Sequence, residues 1–222
     1  MTRSHRPSPL VFVLVVGLLA SACSTGGGGP ATANPTSAAS TSPAPGTTDC
    51  PTSQPAPLPA GESRVVTIET SKGSIEITVD ADLSPIAAGN FVALAGCGFY
   101  DEVVFHRVAT LEDGTPFVIQ GGDPTGTGTG GPGYEIADEP VTATYGRGTV
   151  AMARTSEPNS VGSQFFIVLD DGARDVLAAY NTYQIIGTVS DGMTTVDAIY
   201  AAADAEAPTH PVAMDSVTVT NP

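Results

Sequence analysis

Eight short β-rich runs, separated by turn-forming residues and interrupted by only two helical patterns, are the strongest limit on the fold of this chain. Each run is rich in the branched and aromatic residues that favour extended backbone. Because closure removes exposed sheet edges, we expect a mainly β fold, a closed eight-stranded antiparallel β-barrel capped by two α-helices. The predicted strands span residues 65–69, 74–79, 103–108, 117–120, 148–152, 164–169, 184–189 and 216–220.

Two segments carry helical signals. Ser84 followed by Pro85 is typical of an N-cap and a first-turn proline, and predicts a helix that continues to Ala95. The second predicted helix has one apolar face, with the spacing i, i+3, i+4, i+7, formed by Val196, Ile199, Tyr200 and Ala203.

Residues 1–22 are predicted to form a secretory signal peptide. Two arginines precede an uncharged apolar run, residues 10–20, that is too short to span a bilayer comfortably. The segment LASAC that ends at Cys23 resembles a bacterial lipobox, in which the cysteine is lipidated and becomes the mature N-terminus. That resemblance implies a protein anchored by lipid on the extracytoplasmic face of the cell membrane. A plain secreted protein, cleaved nearby, is the alternative.

Residues 23–62 are predicted to be a disordered linker that joins the lipidated cysteine to a single domain, residues 63–222. Of the 39 residues between Ser24 and Glu62, 33 are Gly, Pro, Ser, Thr or Ala, and none is Lys or Arg. Such a composition cannot bury enough apolar surface to offset the entropy of ordering.

The chain is strongly acidic. It has 23 Asp and Glu against 8 Lys and Arg, and a formal net charge of −15. A surface of this sign repels nucleic acid and anionic lipid head groups. We therefore expect no nucleic-acid partner, and contact with a membrane through the lipid anchor only.

The cysteines leave two alternatives open. If Cys23 is lipidated, Cys50 and Cys97 remain in an oxidising compartment, where they either form a disulfide or stay as two unpaired thiols. No Cys or His pair has the spacing of metal ligands, so we expect no metal site and no cofactor.

One arginine stands among apolar residues in the stretch 104–123. Residues two apart in a strand share a face, which groups Val118 with Gln120 and, in a later strand, Gln164 with Phe166. If these faces meet beside Arg107, they form an apolar patch edged by one cation and two amides. Such a patch suits a neutral, peptide-like ligand.

An ordered series of motifs over residues 65–219 resembles the cyclophilin family of peptidyl-prolyl cis-trans isomerases. The resemblance implies isomerisation of X–Pro bonds in exported proteins, whose folding the enzyme would assist as a monomer and without a cofactor. The expected partners are proline-containing peptides and unfolded exported proteins. The motifs are TSKGSI (70–75), NF (90–91), GFYD (98–101), FHR (105–107), GGD (121–123), GTVAMAR (148–154), GSQFF (162–166) and IGTV (186–189).

The resemblance also implies roles for individual residues. Arg107 would donate a hydrogen bond to the prolyl nitrogen, and His106, on the other face by alternation, would be structural. The implied catalytic residues are Arg107, Gln120 and Phe117. The implied substrate-binding residues are Val118, Ala153, Arg154, Gln164, Phe166, Tyr183 and Leu177.

Other functions have less support in the sequence. The glycine run 126–131 is not followed by the Gly-Lys-Ser/Thr of a phosphate loop. A hydrolase built on Cys97 and His106 lacks a third partner by motif. The alternative that remains is a proline-peptide binding module or holdase chaperone with little turnover.

Overall fold

The computed structural model describes residues 49–221. The predicted signal peptide, Cys23 and the linker up to residue 48 lie outside the described residues. The described strands are β1 (Ser63–Thr70), β2 (Gly73–Asp80), β3 (Arg107–Thr110), β4 (Pro116–Gly121), β5 (Thr149–Met152), β6 (Phe165–Val168), β7 (Ile185–Asp191) and β8 (Ser216–Thr220). The described helices are α1 (Pro85–Gly96), α2 (Arg174–Tyr180) and α3 (Met193–Ala202).

All eight strands form one antiparallel sheet in the order β3-β4-β6-β5-β7-β2-β1-β8. The prediction of a mainly β fold with eight antiparallel strands is confirmed. The prediction of a closed barrel is wrong, because β3 pairs only with β4 and β8 pairs only with β1 within residues 49–221. The sheet is therefore open, with β3 and β8 at its two edges.

Residues outside the strands make hydrogen bonds near both edges of the sheet. The segment 206–214 runs beside the chain that leads into β3, where the Phe105 N–H donates to the Val212 carbonyl at 2.9 Å. At the other edge, the Val217 N–H of β8 donates to the carboxylate of Asp101 at 2.8 Å. Separate hydrogen bonds of this kind cover edge groups without a continuous ladder.

The third strand begins later than the sequence predicts. The expected span was 103–108, whereas β3 is Arg107–Thr110. The preceding residues bond to the segment 206–214 instead of β4; for example, the Met214 N–H donates to the Val103 carbonyl at 2.9 Å. The residues before Arg107 are thus extended chain paired with a loop, and only the end of the predicted span belongs to β3.

The main core lies on the face of the sheet that α1 and α3 cover. Phe165 is fully buried there, with its ring centroid 5.1 Å from Phe91 and 5.6 Å from Tyr100. The next residue, Phe166, points to the opposite face, as alternation along a strand requires. There it joins a second apolar cluster with Val118 and other residues of β4, β5 and β6.

The sequence predicts two helices, and the described residues contain three. The helix α1 begins at Pro85 as predicted, but the Ser84 hydroxyl makes no cap hydrogen bond. The Glu139 carboxylate caps the helix instead, accepting from the N–H groups of Ile86 at 2.8 Å and Ala87 at 2.9 Å. The unpredicted helix α2 places Leu177 against the second apolar cluster. None of the helices within residues 49–221 is both long and apolar enough to cross a membrane.

The end of the predicted linker packs against α1. We call residues 50–61 the strap. Leu58 in the strap is only 6% exposed, and its N–H donates to the Pro85 carbonyl at 2.9 Å. Gly89 of α1 permits this approach, since a Cβ at that position would lie 2.4 Å from the Ala56 carbonyl oxygen.

A disulfide joins the start of the strap to the end of α1 in the structure. The bonded residues, Cys50 and Cys97, have Cα atoms 5.2 Å apart, within the range of unstrained disulfides. Of the two alternatives that the sequence leaves open, the structure has the bonded one.

Candidate active site

Strand register brings three of the predicted polar side chains together. Arg107 lies opposite Gln120 in the ladder between β3 and β4. Gln120 in turn lies opposite Phe166 in the ladder between β4 and β6, and Gln164 directly precedes β6. The arginine and both amides therefore stand beside one another on the outer face, next to the second apolar cluster.

A continuous series of hydrogen bonds fixes these side chains. Arg107 Nη1 donates to Gln120 Oε1 at 3.3 Å, and Gln120 Nε2 donates to Gln164 Oε1 at 2.9 Å. Gln164 Nε2 donates to the carbonyls of Gly128 and Gly130, at 3.0 and 2.9 Å. Because each amide both accepts and donates, the orientation of one determines the next. The glycine-rich loop thus sets the direction in which Gln120 meets the guanidinium.

The carboxylate of Asp123 organises that loop. Asp123 is 1% exposed and accepts hydrogen bonds from the N–H groups of Thr125, Gly128 and Gly130, at 2.7, 2.6 and 3.0 Å. Burial raises the pKa of this carboxyl, but the hydrogen bonds outweigh burial and hold the pKa well below its ordinary value. The GGD motif and the glycines after it are the sequence signal for this arrangement, but they did not lead to a role for Asp123.

Gly122 lets β4 approach the segment before β6. Its φ is +88°, and a Cβ there would lie 2.4 Å from the Ser163 carbonyl oxygen. The Ser163 hydroxyl donates to the Gly122 carbonyl at 2.6 Å, which closes the contact from the other side. Only glycine allows this conformation at this distance.

The apolar residues predicted for the proline pocket lie together on the outer face. The rings of Phe166 and Tyr183 meet edge to face, with centroids 5.3 Å apart. Phe117 and Tyr183 are partly exposed, so the cluster has an accessible surface rather than a sealed interior. The predicted residues in this cluster are Phe117, Val118, Ala153, Phe166, Leu177 and Tyr183.

Arg154 uses its side chain within the protein. Arg154 Nη1 lies 2.9 Å from Asp138 Oδ1, and the side chain is only 10% exposed. Its neighbour Ala153 donates its N–H to the Gln164 carbonyl at 2.8 Å, which ties the end of β5 to the amide series. The Arg154 guanidinium is thus paired within the protein, whereas the Arg107 side chain is 40% exposed.

A groove of about 650 Å³ continues from the two glutamines. One wall is the glycine-rich loop, residues 128–133, and the other includes Ala153 and Ser160. The site is therefore an elongated cleft beside an apolar cluster, which suits an extended peptide better than a compact ligand.

Glu206 contacts the arginine, and sequence analysis missed it. Arg107 Nε donates to Glu206 Oε1 at 2.8 Å. The two residues are 99 positions apart, and Glu206 lies outside every motif named above. Only the fold of the segment 206–214 along β3 brings them together.

His106 directly precedes β3, and its ring lies near Gly128 of the glycine-rich loop. It is 9% exposed, and neither ring nitrogen has a hydrogen-bond partner among the described residues. Burial lowers the pKa of the imidazole. The described residues bring no three metal-ligating side chains together at this or any other place.

Comparisons with known proteins define the class of this site. Residues 65–219 match the model of the family described as cyclophilin type peptidyl-prolyl cis-trans isomerase. A Rhizopus delemar protein named peptidyl-prolyl cis-trans isomerase-like 1 is 44% identical over 140 residues, which cover 61% of this chain and 79% of that protein. A Mycobacterium leprae protein named probable peptidyl-prolyl cis-trans isomerase A is 36% identical over 179 residues, 71% of this chain and 93% of that protein.

A solved structure gives the same result. A cyclophilin type peptidyl-prolyl cis-trans isomerase from Cryptosporidium parvum superposes with a TM-score of 0.62 at 31% identity, and the match covers 72% of this chain and 99% of that one. The chain belongs to the cyclophilin family. It is a cyclophilin-type peptidyl-prolyl cis-trans isomerase.

Proposed function

We propose that Arg107 is the group that lowers the barrier to rotation, acting on a proline held in the apolar pocket. One observation carries this assignment: the guanidinium is bonded to Gln120, which is bonded in turn to Gln164 and lies opposite Phe166 of the apolar cluster in the sheet. A proline ring fits against the apolar cluster while its nitrogen faces the cation.

The chemistry requires no covalent step. Rotation about an X–Pro bond breaks amide resonance, at a cost of about 18–20 kcal/mol, and without a catalyst it takes tens to hundreds of seconds. As the bond twists, the prolyl nitrogen becomes pyramidal and gains a lone pair that accepts a hydrogen bond. A charged donor on this nitrogen stabilises the twisted state by about 1.5–3 kcal/mol relative to the planar amide.

The remaining acceleration comes from positioning. A rate gain of about 10⁴ corresponds to about 5.5 kcal/mol, so the hydrogen bond alone is insufficient. Phe117, Val118 and Phe166 grip the ring, with Tyr183 and Leu177 behind them, while one side of the X–Pro bond rotates. Gln120 orients the substrate together with the arginine. Backbone groups of Ala153 and Arg154 hold the flanking peptide, which the neighbouring groove accommodates.

Arg107→Ala tests the assignment. We expect kcat/KM on an Ala-Pro peptide to fall by about tenfold to a hundredfold, equivalent to about 1.4–2.7 kcal/mol, while peptide affinity changes little because the pocket remains. In Arg107→Lys, kcat/KM is expected to fall nearly as far, because the lysine ammonium cannot contact Gln120 and the prolyl nitrogen at the same time, as a planar guanidinium does. Exchange spectroscopy by NMR measures both rate and affinity.

The same assay separates catalysis from binding alone. A related structure from Cryptosporidium parvum, solved in the presence of the dipeptide Ala-Pro, supports a proline-containing ligand at this type of site. A proline-peptide binding module or holdase would retain its affinity and show little turnover in the unmodified protein. A correctly folded Arg107→Ala variant with the unmodified rate would remove Arg107 from the mechanism.

We propose further that the enzyme acts on exported proteins while anchored by lipid to the extracytoplasmic face of a bacterial membrane. The support is the lipobox-like segment that ends at Cys23 and the Gly/Pro/Ser/Thr/Ala-rich stretch after it. A diacylglycerol group and an N-acyl chain together give stable anchoring, which a single chain does not.

Cys23→Ala tests the anchor. The variant is expected to leave the detergent phase in a partitioning experiment, or to accumulate with its signal peptide uncleaved. A variant that partitions like the unmodified protein would contradict the anchor. Gel filtration with light scattering on the detergent-solubilised protein then tests the expected monomer.

A further inference from the structure

The guanidinium of Arg107 is held from two sides by separate parts of the fold. Nη1 donates to Gln120 on β4, and Nε donates to Oε1 of Glu206 on the segment before β8, at 2.8 Å. Within the described residues Nη2 has no hydrogen-bond partner. Hydrogen bonds thus fix the guanidinium at Nε and Nη1, and Nη2 remains available to a ligand.

Glu206 is itself held in place along β3. Its carbonyl accepts a hydrogen bond from the Val108 N–H at 2.8 Å, so backbone and side chain both bind consecutive residues of the strand. An ion pair between two mobile surface side chains contributes little free energy, because ordering both side chains costs entropy. Here the backbone contact removes part of that cost, since the carboxylate starts from a fixed position beside Arg107.

The exposure of the pair matters for its role. The Arg107 and Glu206 side chains are 40% and 63% exposed. An exposed pair of this kind contributes little to the stability of the whole protein. Its effect is local, on the plane and direction of the guanidinium at the rim of the apolar pocket.

We propose that Glu206 is a positioning residue for Arg107. It accepts from Nε and, with Gln120, sets the plane in which Nη2 meets the prolyl nitrogen. Glu206 does not touch the substrate. The inference rests on the role of Arg107 proposed above, and it predicts a loss of rate, although the carboxylate partly neutralises the cation.

Charge and orientation predict opposite changes in rate when Glu206 is substituted, so the direction of the change distinguishes them. Removing a carboxylate frees positive charge on Arg107, which by charge alone would strengthen the hydrogen bond to the substrate. Loss of orientation acts the other way, because a small misplacement of a catalytic donor costs much of its effect. We expect orientation to dominate, with kcat/KM falling about fivefold in Glu206→Gln.

The test is a double-mutant cycle on kcat/KM for an Ala-Pro peptide, measured by NMR exchange. Glu206→Gln and Glu206→Ala are made in the unmodified protein and in Arg107→Ala, with Glu112→Gln in the β3–β4 turn as a control of equal charge change. We expect the Glu206 substitutions to lower the rate about fivefold when Arg107 is present and to have no effect when it is absent. Peptide affinity and thermal stability should stay unchanged.

Two further readouts separate positioning from a structural effect. The Nε–Hε resonance of Arg107 should move in Glu206→Gln and return towards its original position in Glu206→Asp, with partial recovery of rate. Equal losses in both arginine backgrounds, or a rate that is unchanged or increased in Glu206→Gln, would overturn the inference. If Arg107→Ala itself retains the full rate, the assignment of Arg107 fails, which is a different result.

Discussion

Gly89→Ala sets two known effects against each other in the middle of α1. Alanine is the better helix former, by about 0.8–1.0 kcal/mol in an exposed helix interior. At this position, however, the new Cβ would lie 2.4 Å from the Ala56 carbonyl oxygen and 2.8 Å from the Leu58 backbone nitrogen. Both atoms belong to backbone, so the strap must move away from the helix.

The cost of moving the strap follows from what it buries. Leu58 is 94% buried, and returning such a side chain to water costs about 1.5–3 kcal/mol. Its hydrogen bond to the Pro85 carbonyl contributes about 0.5–1.5 kcal/mol more. After the gain in helix propensity, Gly89→Ala is expected to destabilise the protein by about 1–3.5 kcal/mol.

Urea unfolding, followed by circular dichroism, measures this difference. Gly96→Ala is the matched control, since it lies in the same helix and its Cβ would meet nothing nearer than a Val219 methyl at 4.0 Å. The control should be neutral or slightly stabilising. If Gly89→Ala is as stable as Gly96→Ala, or if its effect is the same when Leu58→Ala is also present, the reasoning about the strap is refuted.

Three other predictions concern groups described above. Asp123→Asn should lower stability at about pH 7 by about 2–4 kcal/mol, because it removes a charged acceptor from buried N–H groups. Because the pKa of Asp123 is depressed in the folded state, its contribution to stability is complete above the ordinary value of 3.8 and decreases below it. Urea unfolding at about pH 3 should therefore show a smaller difference in stability between Asp123→Asn and the unmodified protein. An equal difference in stability at about pH 7 and about pH 3 would contradict this role of the charged carboxylate. The pKa of His106 is also lowered, so just below pH 6.5 the unfolded state gains a proton that the folded state does not. The free energy of unfolding should therefore fall between about pH 6.5 and pH 5.5, and it should fall less in His106→Phe. Equal losses would show that another group titrates. Finally, the Cys50–Cys97 bond closes a loop with a sequence separation of 47, so reduction should cost about 3–4 kcal/mol in the free energy of unfolding, and thiol labelling of the folded protein should find neither cysteine reactive.

Local patterns predicted the parts of the site that depend on strand periodicity. Alternation placed Val118 with Gln120 and Gln164 with Phe166, and the structure has these pairs on the same outer face. The same alternation explains why Phe165 lies in the main core and Phe166 in the second cluster. A period of two residues is enough for such assignments, because it does not depend on which strands are neighbours.

Contacts between distant segments were beyond that reasoning. The pairing of Arg107 with Glu206 depends on a loop that lies beside the edge strand β3, and the barrel prediction was wrong because β3 and β8 do not pair with each other. The short helix α2 has no capping side chain at its start, so the sequence gave no start signal for it. Its C-cap is Asn181, with a φ of +44°. The strap was assigned to the linker by composition, but the burial of Leu58 and the Cys50–Cys97 disulfide attach it to α1.

The disulfide also determines how mechanical tension would travel through this protein. A pull on the chain before Cys50 passes through the covalent bond to Cys97, with its sequence separation of 47, and bypasses everything between. The covalent path of this force therefore leaves out the strap, β1, β2 and α1. If a peptide in the groove is pulled at the same time, only the short segment from Cys97 to Arg107 joins the disulfide to the arginine along the chain. Tension on the upstream chain thus enters the fold close in sequence to the substrate site, and not at the strap.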